Sequence, residues 1–142
     1  MIQGLAVPYG VSSPGGIKGT MYCEIIGPGA FRRSVSAGKC LQTGKPIYAC
    51  LNHSRKSQDR LGSTADGRLR LWETSEGLFF EVDAPLPKLV TGVSVSFKPR
   101  RWRKDTGLLY RLLEADLVHI AILTWPKRPA YPATAGSIRK VN

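Results

Sequence analysis

Two histidines occur in the 142-residue chain, His53 and His119, and each belongs to an alternating apolar run. The runs are Ile47-Tyr48-Ala49-Cys50-Leu51-Asn52-His53 and Leu117-Val118-His119-Ile120-Ala121-Ile122-Leu123. Between them, Gly92-Val93-Ser94-Val95-Ser96-Phe97 carries two serines on a stretch of strand character. A hydroxyl nucleophile, a base beside it and a group that orients the base are the parts of serine-hydrolase chemistry on any fold. Side chains alternate faces along an extended strand, so Ser94 and Ser96 share one face. By the same parity His53 falls in phase with Ile47, Ala49 and Leu51, and His119 with Leu117, Ala121 and Leu123. Such small or apolar neighbours desolvate an imidazole and hold it neutral near pH 7, the state a base requires.

Short strands must position these groups. The alternation predicts strands at Ile2–Val7, Met21–Ile26, Ile47–Leu51, Arg60–Ala65, Leu69–Glu73, Leu78–Asp83, Gly92–Phe97, Tyr110–Ala115 and Leu117–Leu123. Asp66-Gly67, Glu76-Gly77 and Asp105-Thr106-Gly107 carry turn chemistry between them. Helix is confined to Pro28–Val35, ending before Gly38, and to a short piece at Pro85–Val90. The expected fold is mainly β with a few short helices, an α+β chain whose antiparallel strands form a closed or partly closed barrel. Residues 1–126 are expected to form that single domain, and residues 127–142, which follow Pro126 and carry Pro129 and Pro132, an extended or flexible tail.

Composition narrows the partners. A net charge of +11, from 21 Lys and Arg against 10 Asp and Glu, favours acidic or polyanionic partners. The densest basic run, Lys98-Pro99-Arg100-Arg101-Trp102-Arg103-Lys104, reads as a solvated hairpin loop or as a track for a phosphate backbone. Three cysteines, Cys23, Cys40 and Cys50, lack metal-ligand spacing and read as reduced thiols, and the distant histidines offer no metal site. Neither a cofactor motif nor a GxSxG elbow is present. No apolar run approaches the roughly 20 residues that span a bilayer, so no membrane segment and no secretory signal are expected.

Several segments in order carry a family likeness: Gly4-Leu5-Ala6, Glu24 to Phe31, Asn52-His53 with Leu61-Gly62, Glu76-Gly77-Leu78, Gly92 to Phe97, and Ile120 to Pro126. With these the chain resembles the prohead maturation proteases of tailed bacteriophages, serine peptidases related in fold to the herpesvirus capsid protease, assemblin. The resemblance implies His53 as base, Ser94 as nucleophile with Ser96 as second candidate, and His119 as third member. Many phage relatives carry an acidic residue at the third position, whereas a histidine there resembles the herpesvirus Ser-His-His set. Asp116 and Glu114 are the fallback orienters, and the backbone around Lys127 and Arg128 is the implied oxyanion donor. The implied function is an endopeptidase of head morphogenesis that cleaves scaffolding and major capsid precursors, and itself, inside the procapsid in the host cytoplasm. A homodimer and non-specific DNA contact are further expectations. Two other readings compete: a catalytically silent, protease-like structural head protein, and a basic β-barrel that binds nucleic acid.

Overall fold

A computed structural model describes residues 1–17, 20–105, 107 and 109–141 of the chain. Its strands are β1 (Ile2–Pro8), β2 (Ser12–Ile17), β3 (Thr20–Ile26), β4 (Tyr48–Leu51), β5 (Arg60–Ser63), β6 (Leu69–Glu73), β7 (Gly77–Val82), β8 (Val90–Lys104), β9 (Leu109–Thr124) and β10 (Arg139–Lys140). Helices α1 (Arg32–Ala37) and α2 (Ala133–Ser137) are short. The mainly β expectation holds. Of the closed or partly closed barrel, no closure is seen among the described residues: the pairings make two sheets, one in the order β10-β1-β7-β6 and one in the order β2-β3-β9-β4-β5, with β8 on the other edge of β9. Nor is the pairing purely antiparallel, because β3 and β4 both run parallel to β9.

β9 is the spine. The two strands expected at 110–115 and 117–123 are one 16-residue strand. Along one edge it pairs with β8, from Val90↔Thr124 to Lys104↔Tyr110. Along the other edge its first half meets β3, and its second half meets β4 through Tyr48↔His119 to Leu51↔Ile122. The gap between β3 and β4 is filled by the segment leading into α1. Gly27 donates to the Leu112 carbonyl, the Ala115 amide donates to the Ala30 carbonyl, and the Leu117 amide to Ser34 Oγ at 3.1 Å. The buried backbone of β9 is thereby satisfied where no strand lies beside it.

Helix α1 stops where the sequence says it must: Gly38 adopts φ 67 and returns its amide to the Ser34 carbonyl. Its start is later than Pro28, at Arg32, since Gly29 has positive φ and bends the chain first. Residues 83–89 form turns and irregular backbone rather than a second helix. The turn expected at Asp105-Thr106-Gly107 lies in part outside the described residues, at Thr106. The tail of the chain is not featureless: α2 packs on β1 and β8, and β10 pairs with Ile2 and Gln3.

The core lies between the sheets. Ile2, Val7, Phe31, Phe80, Leu112, Leu117, Ile120 and Ile122 are fully buried in one cluster. A second, small cluster of Cys50, Ala121 and Leu123 lies on the opposite face of β4 and β9, with Tyr48 against it. Both faces of β9 are therefore covered near His119, which explains its near-continuous apolar run. No helix among the described residues is long and apolar enough to cross a membrane.

Candidate active site

A one-residue irregularity sets the parity of β9. On β8, Ser96 and Phe97 are adjacent, yet they pair with His119 and Leu117, so Val118 is the extra residue of a β-bulge. Leu117 consequently joins the main core with Ile120 and Ile122, while His119 turns to the face of Ala121 and Leu123. Strict alternation had put Leu117 and His119 together; the bulge separates them. Across this face three strands align in register: Tyr48, His119 and Ser96 in one row, and Cys50, Ala121 and Ser94 in the next.

His53 reaches that face from a sharp turn after β4, not from the strand itself. Asn52 and His53 both take left-handed backbone, φ 52 and 59, a conformation that non-glycine residues adopt at a cost. The turn is clamped by Asn52. Its Nδ2 donates to Thr124 Oγ1 at 2.8 Å, its Oδ1 accepts from the Thr124 amide at 2.9 Å, and its own amide donates to the Ile122 carbonyl. Lys127 Nζ adds a bond to the Asn52 carbonyl at 3.1 Å. Folded back in this way, His53 Nδ1 lies 2.7 Å from His119 Nε2, with the ring centroids 5.0 Å apart.

The two rings differ in environment. His119 is 8% exposed and lies beside the Tyr48 ring, at 5.0 Å between centroids. Burial pulls its pKa from 6.5 down to about 4, with the neighbouring His53, Arg55 and Arg60 adding to the effect. His53 is exposed to solvent, and its pKa is also lowered, first by desolvation and then by Lys127. Both imidazoles are thus neutral near pH 7. One proton must sit between the facing nitrogens, and the far nitrogen of the buried ring, His119 Nδ1, has no hydrogen-bond partner among the described residues.

Other expected residues fall elsewhere. Asp116 is fully buried, and Arg100 Nη1 donates to its Oδ2 at 3.3 Å, so the carboxylate is a structural ion pair rather than a partner of either histidine. Glu114 stands opposite Arg101, further along the same hairpin. The Lys127 amide already donates to the Thr124 carbonyl, closing the turn that contains the cis Trp125-Pro126 bond; the Arg128 amide makes no hydrogen bond among the described residues. Neither Ser94 nor Ser96 uses its hydroxyl in a hydrogen bond among the described residues. Cys50 lies in the row of Ser94, but burial pushes its thiol up to about 11, against the pull of the His53 backbone and Arg60. It is a packed side chain, not a thiolate nucleophile. No group of three His, Cys, Asp or Glu among the described residues is placed to hold a metal ion.

Sequence reasoning missed Asn52 and the cationic residues Arg55 and Arg60 next to the pair. The first had a readable signal, since asparagine tolerates the left-handed region better than most residues. The basic run at 98–104 is not a hairpin loop but the outer half of β8, with Arg100 held by Asp116 and Arg103 by Asp105.

Comparison with known proteins gives no matching curated protein and no matching solved structure. Over residues 1–142, however, the chain matches the family model of the caudovirus prohead serine protease, and a match along the whole chain makes it a member of that family of serine peptidases.

Proposed function

We propose that the protein is the endopeptidase of phage head maturation, working through Ser94, His53 and His119 on scaffolding and major capsid precursors inside the assembling procapsid. The observation that carries this reading is the 2.7 Å contact between the two histidines on the sheet face to which Ser94 belongs. His53 Nε2 takes the proton from Ser94 Oγ as the oxygen attacks the peptide carbonyl carbon. The same nitrogen then returns the proton to the departing amine, leaving an acyl-enzyme that water hydrolyses by the reverse sequence.

The tautomer follows from that role. For Nε2 of His53 to accept, its Nδ1 must carry the hydrogen and donate to His119 Nε2. His119 must then be protonated at Nδ1, the buried atom without a partner. A buried donor left unpaired costs about 1–3 kcal/mol. Ser96 stands directly opposite His119 with its side chain on the same face, and a change of its χ1 rotamer that brings Oγ within reach of Nδ1 would supply the missing acceptor. Ser96 is in this reading a positioning residue and Ser94 the nucleophile. Because His119 is neutral, it stabilises the imidazolium less than a carboxylate does, and turnover is modest. Arg128 contributes an oxyanion donor through its uncommitted amide, while Lys127 does not. Self-cleavage, dimerisation and contact with packaged DNA through the outer half of β8 belong to the same reading.

A fluorophosphonate label, whose phosphorus is attacked by an activated hydroxyl with loss of fluoride, tests it. The wild-type chain and Ser96→Ala take up the label and Ser94→Ala does not. Labelling of Ser94→Ala, or its loss in Ser96→Ala alone, moves the nucleophile to another serine.

A further inference from the structure

A cleft of about 790 Å³ opens beside His119, the buried member of the histidine pair, and is lined by His119 and Ser96 but not by His53 or Ser94. Lys45, Arg55, Arg60 and Lys98 line it, against the single carboxylate of Asp66. That carboxylate is already turned to the chain, accepting from the amides of Ser63 and Arg68. None of the four cations forms an ion pair among the described residues, whereas Arg70, Arg100, Arg103 and Arg111 all do. All four are exposed, and they come from four separate parts of the chain: the approach to β4, the loop after His53, β5 and β8. Arg60 is held in place, its guanidinium 3.9 Å above the Tyr48 ring. Arg55 and Arg60 stand close enough to His119 to press on its titration.

We propose that this cleft is a substrate subsite that receives acidic side chains flanking the scissile bond, so that the peptidase selects Asp- and Glu-rich segments. The inference rests on the assignment of His53 and His119 as the reacting pair. Unpaired cations gathered around a concave surface focus their field into it and draw anionic groups there. A peptide carboxylate fits better than a nucleic acid, because single strands bind by stacking bases on open aromatic faces. The aromatics here are occupied: Tyr48 lies under Arg60 and against His119, and Phe97 packs edge-on into Phe31.

The test uses the full chain carrying Ser94→Ala and two fluorescent peptides, one Glu-rich and one with Gln in place of every Glu. Anisotropy titration at low salt should show the Glu peptide bound about tenfold or more tightly, with the preference fading as salt screens exposed pairs. Arg55→Glu with Lys98→Glu, both on exposed side chains, should remove most of that preference while the thermal transition is retained. Equal affinity for the two peptides, or a preference that the charge reversal leaves intact, overturns the proposal. A short oligothymidylate bound more tightly than the Glu peptide, and weakened by the same reversal, overturns it too by assigning the cleft to nucleic acid. Failure of the Ser94 assignment reads differently: hydrolysis then persists in Ser94→Ala, whatever the peptides show.

Discussion

Acid should weaken this fold before most of its carboxylates titrate, and His119 sets the scale. In the unfolded chain a histidine takes up its proton near 6.5; in the folded chain burial holds His119 to about 4. Between those values the unfolded state binds a proton that the native state refuses, so stability rises with pH there and is lost as pH falls from about 6.5 towards about 4. At about 1.4 kcal/mol per pH unit the loss reaches at most roughly 3 kcal/mol, a large share of the 5–15 kcal/mol that typically separates folded from unfolded. Urea unfolding of the full chain, followed by the fluorescence of its three tryptophans, measures it. The comparison is with His119→Gln, in which the carboxylates titrate as before but the buried imidazole is gone. Wild type should lose up to about 3 kcal/mol more than the variant between neutral pH and about pH 4. Parallel pH dependence in the two proteins would refute the claim that a neutral, desolvated His119 is part of the native state.

Further outcomes follow from the same geometry. With two neutral imidazoles in contact, the acid limb of peptidase activity should fall below the ordinary histidine range. His119→Glu should raise that limb by about 1–3 pH units, since an anion within hydrogen-bond reach favours the charged imidazole; an unmoved limb in a pH profile of kcat/KM would detach His119 from the base. Asn52→Ala removes both side-chain bonds to Thr124 and leaves alanine in the left-handed region, for a loss of about 2–3 kcal/mol in chemical unfolding and a larger fall in kcat than in substrate affinity. Gly92→Ala would put a methyl 2.5 Å from Pro129 Cγ and 2.8 Å from Thr134 Oγ1, a clash of about 1–3 kcal/mol that also shifts the strand bearing Ser94. Unchanged unfolding midpoints would refute both stability claims.

Much of this arrangement is legible in the residues. Alternation located β1, β3, β4, β6 and β7 within a residue or two at most ends, because each has one face on the core. The failures have physical causes. β2 carries Pro14, Gly15 and Gly16, which no periodicity marks as strand. The basic outer half of β8 reads as solvent-exposed loop, yet thirteen register pairs with β9 hold β8 extended along its length. Parallel pairing of β3 and β4 with β9 is a long-range choice that local turn chemistry does not record. At the site, the residue types and their strands were readable, but not the direction of approach. The Val118 bulge reverses the phase of His119 against Leu117, and the left-handed turn at Asn52-His53 takes His53 out of the β4 alternation altogether.

The two imidazoles that meet are 66 positions apart, and they touch only because the second half of β9 has docked between β4 and β8. Long-range, partly parallel pairing of this kind comes late in assembly and closes slowly. On the proposed assignment, a growing or half-collapsed polypeptide therefore holds two ordinary histidines and an ordinary Ser94 hydroxyl, and is harmless to its neighbours. If His53, His119 and Ser94 are the reacting set, peptide-bond cleavage is gated by completion of the sheet itself, and the timing of destruction is written into the order in which strands can join.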